Sequence, residues 1–219
     1  MRGSDAPHLL VDFDGVVAPN AVGKTIDFLH RFLNRYRTIS RASIQSFVKE
    51  TVSFPVQDTI AYYFQSLGLT DRLAEFQAAF RKFDADKSSG ISIDPGFYRF
   101  DQYCKTAGIR FSVLSLASTE RLARLKALQS GSIHRFSGSK ANPETFVRVL
   151  RDLNAVGKRI YYIDDSPIAL AAARSSGVIT VHMENDVMRR SDATEYKKKI
   201  QHRVRSWNGV IRILKESER

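Results

Sequence analysis

The sequence predicts an α/β protein: a Rossmann-like core with a parallel sheet, carrying an all-helical subdomain inserted after the first strand. Three observations lead to this fold class. Five short segments are rich in β-branched and aromatic residues, and they are apolar at consecutive positions, as in strands covered on both faces. From position 94 onward these segments alternate with helical patterns, which is typical of a doubly wound sheet. The stretch between the first and second segments shows helical periodicity instead.

The predicted strands and helix starts follow a regular order along the chain. Three predicted helices begin with the same signal, a polar residue that can cap the helix followed by proline, which is favoured in the first turn. These pairs are Asp94 with Pro95, Asn142 with Pro143 and Ser166 with Pro167. The five predicted strands are Leu9 to Phe13, Ile109 to Leu116, Ile133 to Phe136, Arg159 to Ile163 and Val178 to His182.

The segment from Ala18 to Ile93 interrupts this alternation. Its apolar residues recur with helical spacing between Ile26 and Tyr36, between Ile60 and Leu67, and between Leu73 and Phe83. We therefore predict two units: residues 1–17 and 94–219 form the core, and residues 18–93 form a helical cap. The cap is expected over the carboxyl edge of the sheet, where ligands bind in open α/β folds.

The bulk composition restricts the class of protein. The one cysteine, Cys104, cannot form an internal disulfide, and no stretch is apolar enough for a membrane span or followed by a cleavage site. These features predict a cytoplasmic protein without a membrane partner. The formal net charge is +11, and residues 189–219 contain ten Lys and Arg against four Asp and Glu. This tail indicates either a polyanion-binding patch or, as we favour, basic helices packed on the core with Trp207, Val210, Ile211 and Leu214 buried.

The first predicted strand ends in two carboxylates, Asp12 and Asp14, followed by Gly15. Two acids at a strand end can share a metal ion or divide the roles of nucleophile and acid/base catalyst. Gly15 allows the chain to turn away sharply. The alternative is that both aspartates only cap a turn.

Polar residues also follow the later strands. Asp164 and Asp165 follow a strand predicted to be buried, where two adjacent acids are costly unless a cation lies between them, so we interpret them as metal ligands. Ser115 lies near the end of the second strand, where its hydroxyl can hold a phosphoryl oxygen. Lys140 precedes a predicted helix and can neutralise phosphate charge at the same edge. Taken singly, a serine at a strand end more often only begins a turn, and a lysine before a helix is more often only solvated.

In this order the residues resemble the four motifs of the haloacid dehalogenase-like (HAD) hydrolase superfamily, from the first strand to about Met183. Asp12 to Val16 is similar to the first motif, although threonine is more familiar at Val16. Ser115 corresponds to the second motif, Lys140 with Pro143 to the third, and Asp164-Asp165 to the fourth. The resemblance also implies a mobile helical cap after the first strand, where residues 18–93 lie.

The resemblance implies Mg2+-dependent phosphoryl transfer in two steps. Asp12 would be the nucleophile and Asp14 the acid/base catalyst, with Ser115 and Lys140 binding the substrate phosphate. The metal ligands would come from Asp12, Asp14, Asp164 and Asp165. The implied function is a phosphatase for a small phosphorylated metabolite, and the acid at position 14 argues against dehalogenation. The alternatives are a phosphomutase, or a protein whose basic tail binds nucleic acid.

One further acidic pattern resembles the start of a calcium-binding loop. Asp84-Ala-Asp86-Lys-Ser88 begins like such a loop, but the twelfth position is Pro95 where a bidentate glutamate is needed. We therefore expect an ordinary loop around Asp84.

Overall fold

The computed structural model describes residues 6–51, 53–125, 128, 130–135, 138–185, 196 and 198–217. The strands are β1 (His8–Asp12), β2 (Arg110–Ser115), β3 (Gly131–Arg135), β4 (Ile160–Asp164), β5 (Ile179–Met183) and β6 (His202–Val204). The helices are α1 (Ala21–Leu33), α2 (Arg41–Thr51), α3 (Val56–Ser66), α4 (Leu73–Ala85), α5 (Pro95–Ala107), α6 (Thr119–Leu122), α7 (Pro143–Asp152), α8 (Pro167–Ser175) and α9 (Trp207–Ser217).

The six strands form one sheet in the order β3-β2-β1-β4-β5-β6, and every neighbouring pair is parallel. The chain therefore starts in the middle of the sheet, extends it on one side through β3 and then crosses to β4 on the other. Two hydrophobic clusters involve opposite sides of β1: one includes Leu9 and Val11, the other Leu10. This arrangement confirms the predicted α/β, Rossmann-like fold class.

The helix starts predicted from proline are confirmed. Asp94 accepts a hydrogen bond from the backbone N–H of Gly96 at 2.7 Å, and Asn142 and Ser166 cap α7 and α8 in the same manner. Each of these caps satisfies a backbone donor that the first helical turn leaves free. The predicted strands agree with β1 to β5 within two residues at each described end, while Phe136 lies outside the described residues.

The segment between β1 and α5 contains α1 to α4, in agreement with the helical periodicity. These helices share a hydrophobic cluster of their own, which includes Ile26, Phe32, Phe64 and Phe76. The sequence pattern did not single out α2, because Ile44 is its only described buried residue. The division into a core of residues 1–17 and 94–219 and a cap of residues 18–93 stays a prediction.

The C-terminal segment contains a strand that the sequence did not predict. The segment was expected to be helical, but β6 lies at the sheet edge beside β5. It was missed because a strand of three residues that includes His202 and Arg203 carries almost no apolar pattern. The charged stretch 189–195 lies outside the described residues. None of the described helices has the length and apolar character needed to cross a bilayer.

The last helix, α9, packs onto the core as predicted. Trp207 is 1% exposed and its ring lies 5.1 Å from that of Phe97 and 4.7 Å from that of Phe100, between ring centroids. Val210 and Leu214 are buried as well, and Ile211 packs against the same cluster. Because Trp207 is buried, it cannot serve as a base-stacking residue on the protein surface.

The packing of α9 predicts that Trp207 is a main contributor to stability. We expect Trp207→Ala to lower the free energy of unfolding by about 3–5 kcal/mol, because truncating a buried aromatic residue leaves a cavity. Denaturant unfolding measures this change. The exposed Arg212 on the same helix provides the control, since Arg212→Ala is expected to change stability by less than about 0.5 kcal/mol. Equal effects of the two substitutions would show that α9 is not packed as described.

Candidate active site

Three acidic side chains meet at the carboxyl edge of the sheet. β1 and β4 are neighbours, with Val11 opposite Ile163, so Asp12 at the end of β1 lies beside Asp164 at the end of β4. Asp165 follows directly, and one carboxylate oxygen from each of the three residues lies within 4.8 Å of the others. In the part of the chain that the structure describes, this is the one cluster of three acidic, histidine or cysteine side chains that could hold a metal ion.

The turn after β1 explains why glycine occupies position 15. Gly15 has φ of +90°, a conformation that other residues rarely adopt. An added Cβ at this position would lie 2.1 Å from Oδ2 of Asp165. The glycine therefore allows β1 to end close to Asp165, and a side chain there would push the two strand ends apart.

Lys140 places a positive charge against the cluster. Its side chain is buried, and its ammonium donates a short hydrogen bond to Oδ1 of Asp12 and lies 3.4 Å from Oδ2 of Asp164. The backbone N–H of Lys140 donates to the carbonyl oxygen of Ser53 at 2.8 Å. Ser53 in turn shares a hydrogen bond of 2.7 Å with the hydroxyl of Ser166, so the α2–α3 connection contacts the site.

The electrostatic balance of the cluster is negative. With all three acids ionised, three negative charges would face the single ammonium of Lys140, a net charge of −2. Burial raises the pKa of Asp12 to about 8, opposed by Lys140 and reinforced by Asp164 and Asp14. Burial, with the charges of Asp164 and Asp12, also raises the pKa of Asp165 well above its usual range. The positive charge of Lys140 alone therefore does not balance the negative charge of the three ionised carboxylates.

These residues fit a hard divalent cation. A magnesium ion prefers carboxylate oxygens and would supply the two positive charges that the cluster lacks. Oδ1 of Asp165 is buried without a hydrogen-bond partner among the described residues, so it is free to be a ligand. Its other oxygen accepts a short hydrogen bond from the side-chain amide of Asn185. Asp164 is held by the backbone N–H of Ser166 and by the hydroxyl of Tyr162.

Asp14 lies near the cluster but does not belong to it. Its charge contributes to the raised pKa of Asp12, yet its carboxylate is not among the oxygens that converge. Oδ2 of Asp14 instead accepts a hydrogen bond of 2.9 Å from the guanidinium of Arg121. The roles predicted for Asp14, both as a metal ligand and as the acid/base catalyst, stay predictions.

Ser115 ends β2 next to the cluster. It is 1% exposed and comes one residue after Leu114, the register partner of Asp12. Its hydroxyl oxygen accepts a hydrogen bond of 2.9 Å from the backbone N–H of Ala117, which holds the turn after the strand. The structure therefore places Ser115 at the predicted sheet edge, and its phosphate-binding role stays a prediction.

Some residues around the site were not identified from the sequence. They are Ser53, Arg121, Asn185 and Asp84, the ion-pair partner of Arg121. The expectation of a loop at Asp84 is wrong, because this residue lies in the last turn of α4 and its carboxylate pairs with Arg121. Arg121 lies six residues after Ser115, and Asn185 lies just after β5. Their position after strands was the available signal, but polar residues are common in such turns.

Comparison with known proteins identifies the fold. Neither a family model nor a curated protein matches the chain. Solved structures do, and a hydrolase from Pseudomonas syringae is 15% identical with a TM-score of 0.71 over 96% of this chain and 98% of that one. A HAD-superfamily hydrolase of subfamily IA from Geobacter sulfurreducens is 19% identical, with a TM-score of 0.62 over 97% and 98% of the two chains.

A third neighbour is a variant of CbbY from Rhodobacter sphaeroides, solved in complex with xylulose-1,5-bisphosphate. It is 16% identical, with a TM-score of 0.69 over 92% of this chain and 95% of that one. At these identities the likeness establishes the fold, which is that of HAD-superfamily hydrolases. The resemblance found in the sequence is thereby confirmed at the level of the fold.

The raised pKa of Asp12 predicts that magnesium binding depends on pH. Below about 8 the carboxyl of Asp12 holds a proton that a cation must displace, so affinity for Mg2+ should rise roughly tenfold per pH unit up to that value. Isothermal titration calorimetry between pH 6 and 9 measures both the affinity and the protons released. Asp12→Asn is the control, since it removes this titrating group and leaves Asp165, whose pKa is also raised. An affinity that is equal at pH 6 and pH 8 would contradict this prediction.

The same raised pKa has a consequence for stability. In metal-free protein, Asp12 stays protonated when folded and ionises when unfolded, so its contribution to stability is lost as pH rises towards about 8. The stabilisation by Mg2+ should therefore be larger at pH 8 than at pH 6. Comparing melting temperatures with and without Mg2+ at each pH removes the contribution of His8 and His182, whose pKa values are lowered by burial.

Proposed function

We propose that this protein is a Mg2+-dependent phosphatase that hydrolyses small phosphomonoesters through an aspartyl-phosphate intermediate. The observation that supports this proposal is the convergence of Asp12, Asp164 and Asp165 with the ammonium of Lys140 at the carboxyl edge of the sheet. A carboxylate that can attack phosphorus, a cation site and a fixed positive charge are the elements that phosphoryl transfer needs. The likeness of the fold to that of HAD-superfamily hydrolases supports the same proposal.

We propose Mg2+ as the cofactor, held by Asp12, Asp164 and Asp165. When bound, the ion would reduce the repulsion between a phosphate dianion and the carboxylate that attacks it. Two of these carboxylates are held in place by hydrogen bonds. The side-chain amide of Asn185 donates to one oxygen of Asp165, and the backbone N–H of Ser166 donates to one oxygen of Asp164. These bonds fix the orientation of the two carboxylates.

The reaction would proceed in two balanced steps. In the first, a carboxylate oxygen of Asp12 forms a bond to phosphorus, the bond to the leaving oxygen breaks, and the carboxyl of Asp14 gives its proton to that oxygen. In the second, water attacks the same phosphorus while the carboxylate of Asp14 takes its proton. The bond between phosphorus and Asp12 then breaks, which releases inorganic phosphate and restores both acids.

Lys140 and Ser115 would stabilise the transferring group. Lys140 is buried with its ammonium against Asp12, so its charge is held in a region of low dielectric constant and acts strongly on the equatorial oxygens of the phosphoryl group. Ser115 lies one residue beyond the register partner of Asp12 and would donate its hydroxyl proton to one of those oxygens.

The proposed substrate is a small phosphorylated metabolite such as a sugar phosphate. The CbbY variant with bound xylulose-1,5-bisphosphate is an example of this fold with such a ligand. We further propose a cytoplasmic location, consistent with the single, buried thiol of Cys104, whose pKa is raised to about 12 by burial. Such a thiol is poorly reactive in disulfide exchange.

The proposal predicts that Asp12 is indispensable. We expect the wild-type protein with Mg2+ to release phosphate from at least one member of a panel of sugar phosphates, phosphoglycolate, glycerol phosphate and nucleoside monophosphates. Asp12→Asn should lower kcat by about 10³-fold or more, since it removes the nucleophile. Asp101→Asn makes the same change at a buried acid in α5, outside the cluster, and should keep most of the activity.

Other outcomes of this assay would change the proposal. Absence of phosphate release across the panel, together with identical behaviour of the wild type and Asp12→Asn, would refute it. Isomerisation of a sugar phosphate without release of phosphate would identify a phosphomutase, the alternative that the resemblance leaves open. Salt-sensitive binding of nucleic acid without hydrolysis would favour a role for the basic tail.

A further inference from the structure

The guanidinium of Arg121 joins Asp14 to the end of helix α4. Its Nη1 donates to Oδ2 of Asp14 at 2.9 Å. On the other side, Nε and Nη2 both donate to Oδ1 of Asp84, at 2.9 and 2.5 Å. One buried arginine thus contacts two carboxylates that are 70 residues apart in the chain. Of the two, Asp14 is the one whose charge raises the pKa of Asp12.

The surroundings leave Arg121 little freedom to move. Its side chain is 5% exposed, its Nη2 also donates to the hydroxyl of Thr25 in α1 at 3.2 Å, and its guanidinium carbon lies 5.5 Å from the centre of the Phe80 ring. Asp84 is fixed in turn, because its Oδ2 accepts a hydrogen bond of 2.6 Å from the hydroxyl of Ser118. A buried guanidinium with hydrogen bonds at all three nitrogens is a rigid support for the groups that it contacts.

The carboxylate of Asp14 is held at one oxygen only. Oδ2 is bound by Arg121, while Oδ1 is buried and has no hydrogen-bond partner among the described residues. An acid/base catalyst needs this arrangement, with one oxygen fixed and the other available for proton transfer. Arg121 makes no described contact with Asp12, Asp164 or Asp165, so Asp14 is its described link to the site.

We propose that Arg121 is a positioning residue that aligns Asp14 for proton transfer, and that it does so while braced by Asp84 of α4. The inference rests on the proposed function, since it assigns to Asp14 the proton transfer of a phosphatase. It also ties acid/base catalysis to the helices between β1 and α5: when α4 is docked, the guanidinium is held at the distance that orients Asp14. Lysine cannot replace it, because a single ammonium cannot reach both carboxylates with the fork geometry of arginine.

The test is the dependence of kcat/KM on the leaving group. The aryl ester p-nitrophenyl phosphate has a leaving group that departs without a proton, whereas an aliphatic phosphomonoester needs one from Asp14. Both are assayed at saturating Mg2+, with the aliphatic ester that the wild type hydrolyses best in the panel. We expect Arg121→Met to lower kcat/KM for the aliphatic ester by about 10- to 100-fold, since misalignment costs rate steeply. The value for p-nitrophenyl phosphate should change far less.

Arg124 provides a matched control. It lies one turn later and contacts the same segment, donating through Nη2 to the carbonyl oxygens of Asp84 and Asp86 at 2.9 and 2.6 Å, without a described contact to Asp14. Arg124→Met also removes hydrogen bonds that attach the end of α4. It leaves the hydrogen bond from Arg121 to Asp14 in place. The ratio of the two kcat/KM values should therefore stay within about twofold of the wild type, because no group that orients Asp14 is lost.

A second variant guards against loss of folding, since Arg121→Met leaves the buried carboxylate of Asp84 unpaired. The double variant Arg121→Met with Asp84→Leu removes both charges, and such a replacement of a buried ion pair by apolar groups is commonly neutral or stabilising. The double variant should show the same selective loss with the aliphatic ester as the single one. Arg121→Lys should recover at most part of that loss.

A further variant, Asp14→Asn, distinguishes positioning of Asp14 from general structural support by Arg121. Asp14→Asn removes the proton donor, so adding Arg121→Met to it should cause no further selective loss. A folded double variant of Arg121 and Asp84 with the wild-type ratio of kcat/KM values would overturn the inference while leaving the phosphatase intact. Failure of the wild type to hydrolyse any ester, or full activity of Asp12→Asn, would instead refute the proposed function itself.

Discussion

The excess of negative charge at the ends of β1 and β4 is the constraint on which the rest of the site depends. Three buried carboxylates face a single ammonium, and burial raises the pKa of Asp12 to about 8. Without a cation the cluster has to hold protons, because burial of unpaired ionised groups costs several kcal/mol each, on the order of their lost hydration. In the proposed mechanism a divalent cation would resolve this conflict and leave Asp12 ionised, as the proposed nucleophile has to be.

The topology of the sheet supplies the geometry that this charge arrangement needs. β1 lies in the middle of the sheet, next to β4, so the acids that end these strands meet even though more than 150 residues separate Asp12 from Asp164. The turn at Gly15 keeps the chain clear of Asp165, and Lys140 enters from the connection between β3 and α7. The backbone bond from Lys140 to Ser53 then links the site to the helices that follow β1.

The sequence was sufficient for five of the six strands and for the acids at the edge of the sheet. Strands covered on both faces have a continuous apolar pattern, and paired acids after such strands are unusual enough to identify. The pattern could not identify β6, which has three residues and one buried side chain, Val204. It also could not identify Arg121, Asn185 or Ser53, since their roles come from contacts across long sequence distances. A single arginine or serine in a turn carries no periodic signal that would distinguish it from a solvated residue.

Asp84 illustrates the same limit. Its sequence context suggested only a failed calcium loop, whereas the structure places its carboxylate in a buried pair with Arg121. Together with Arg124, this pair attaches the end of α4 to the segment after β2. The interactions that fix α4 thus also reach Asp14, the proposed acid/base catalyst. A rigid link of this kind would let the helical segment influence proton transfer without contributing a metal ligand.

The most direct test of the account is a crystal structure of the protein soaked with Mn2+, which substitutes for Mg2+ and gives an anomalous signal. We predict one strong anomalous peak at the carboxyl edge of the sheet, bonded to oxygens of Asp12, Asp164 and Asp165. A peak elsewhere, or no peak while these three carboxylates face away from one another, would contradict it.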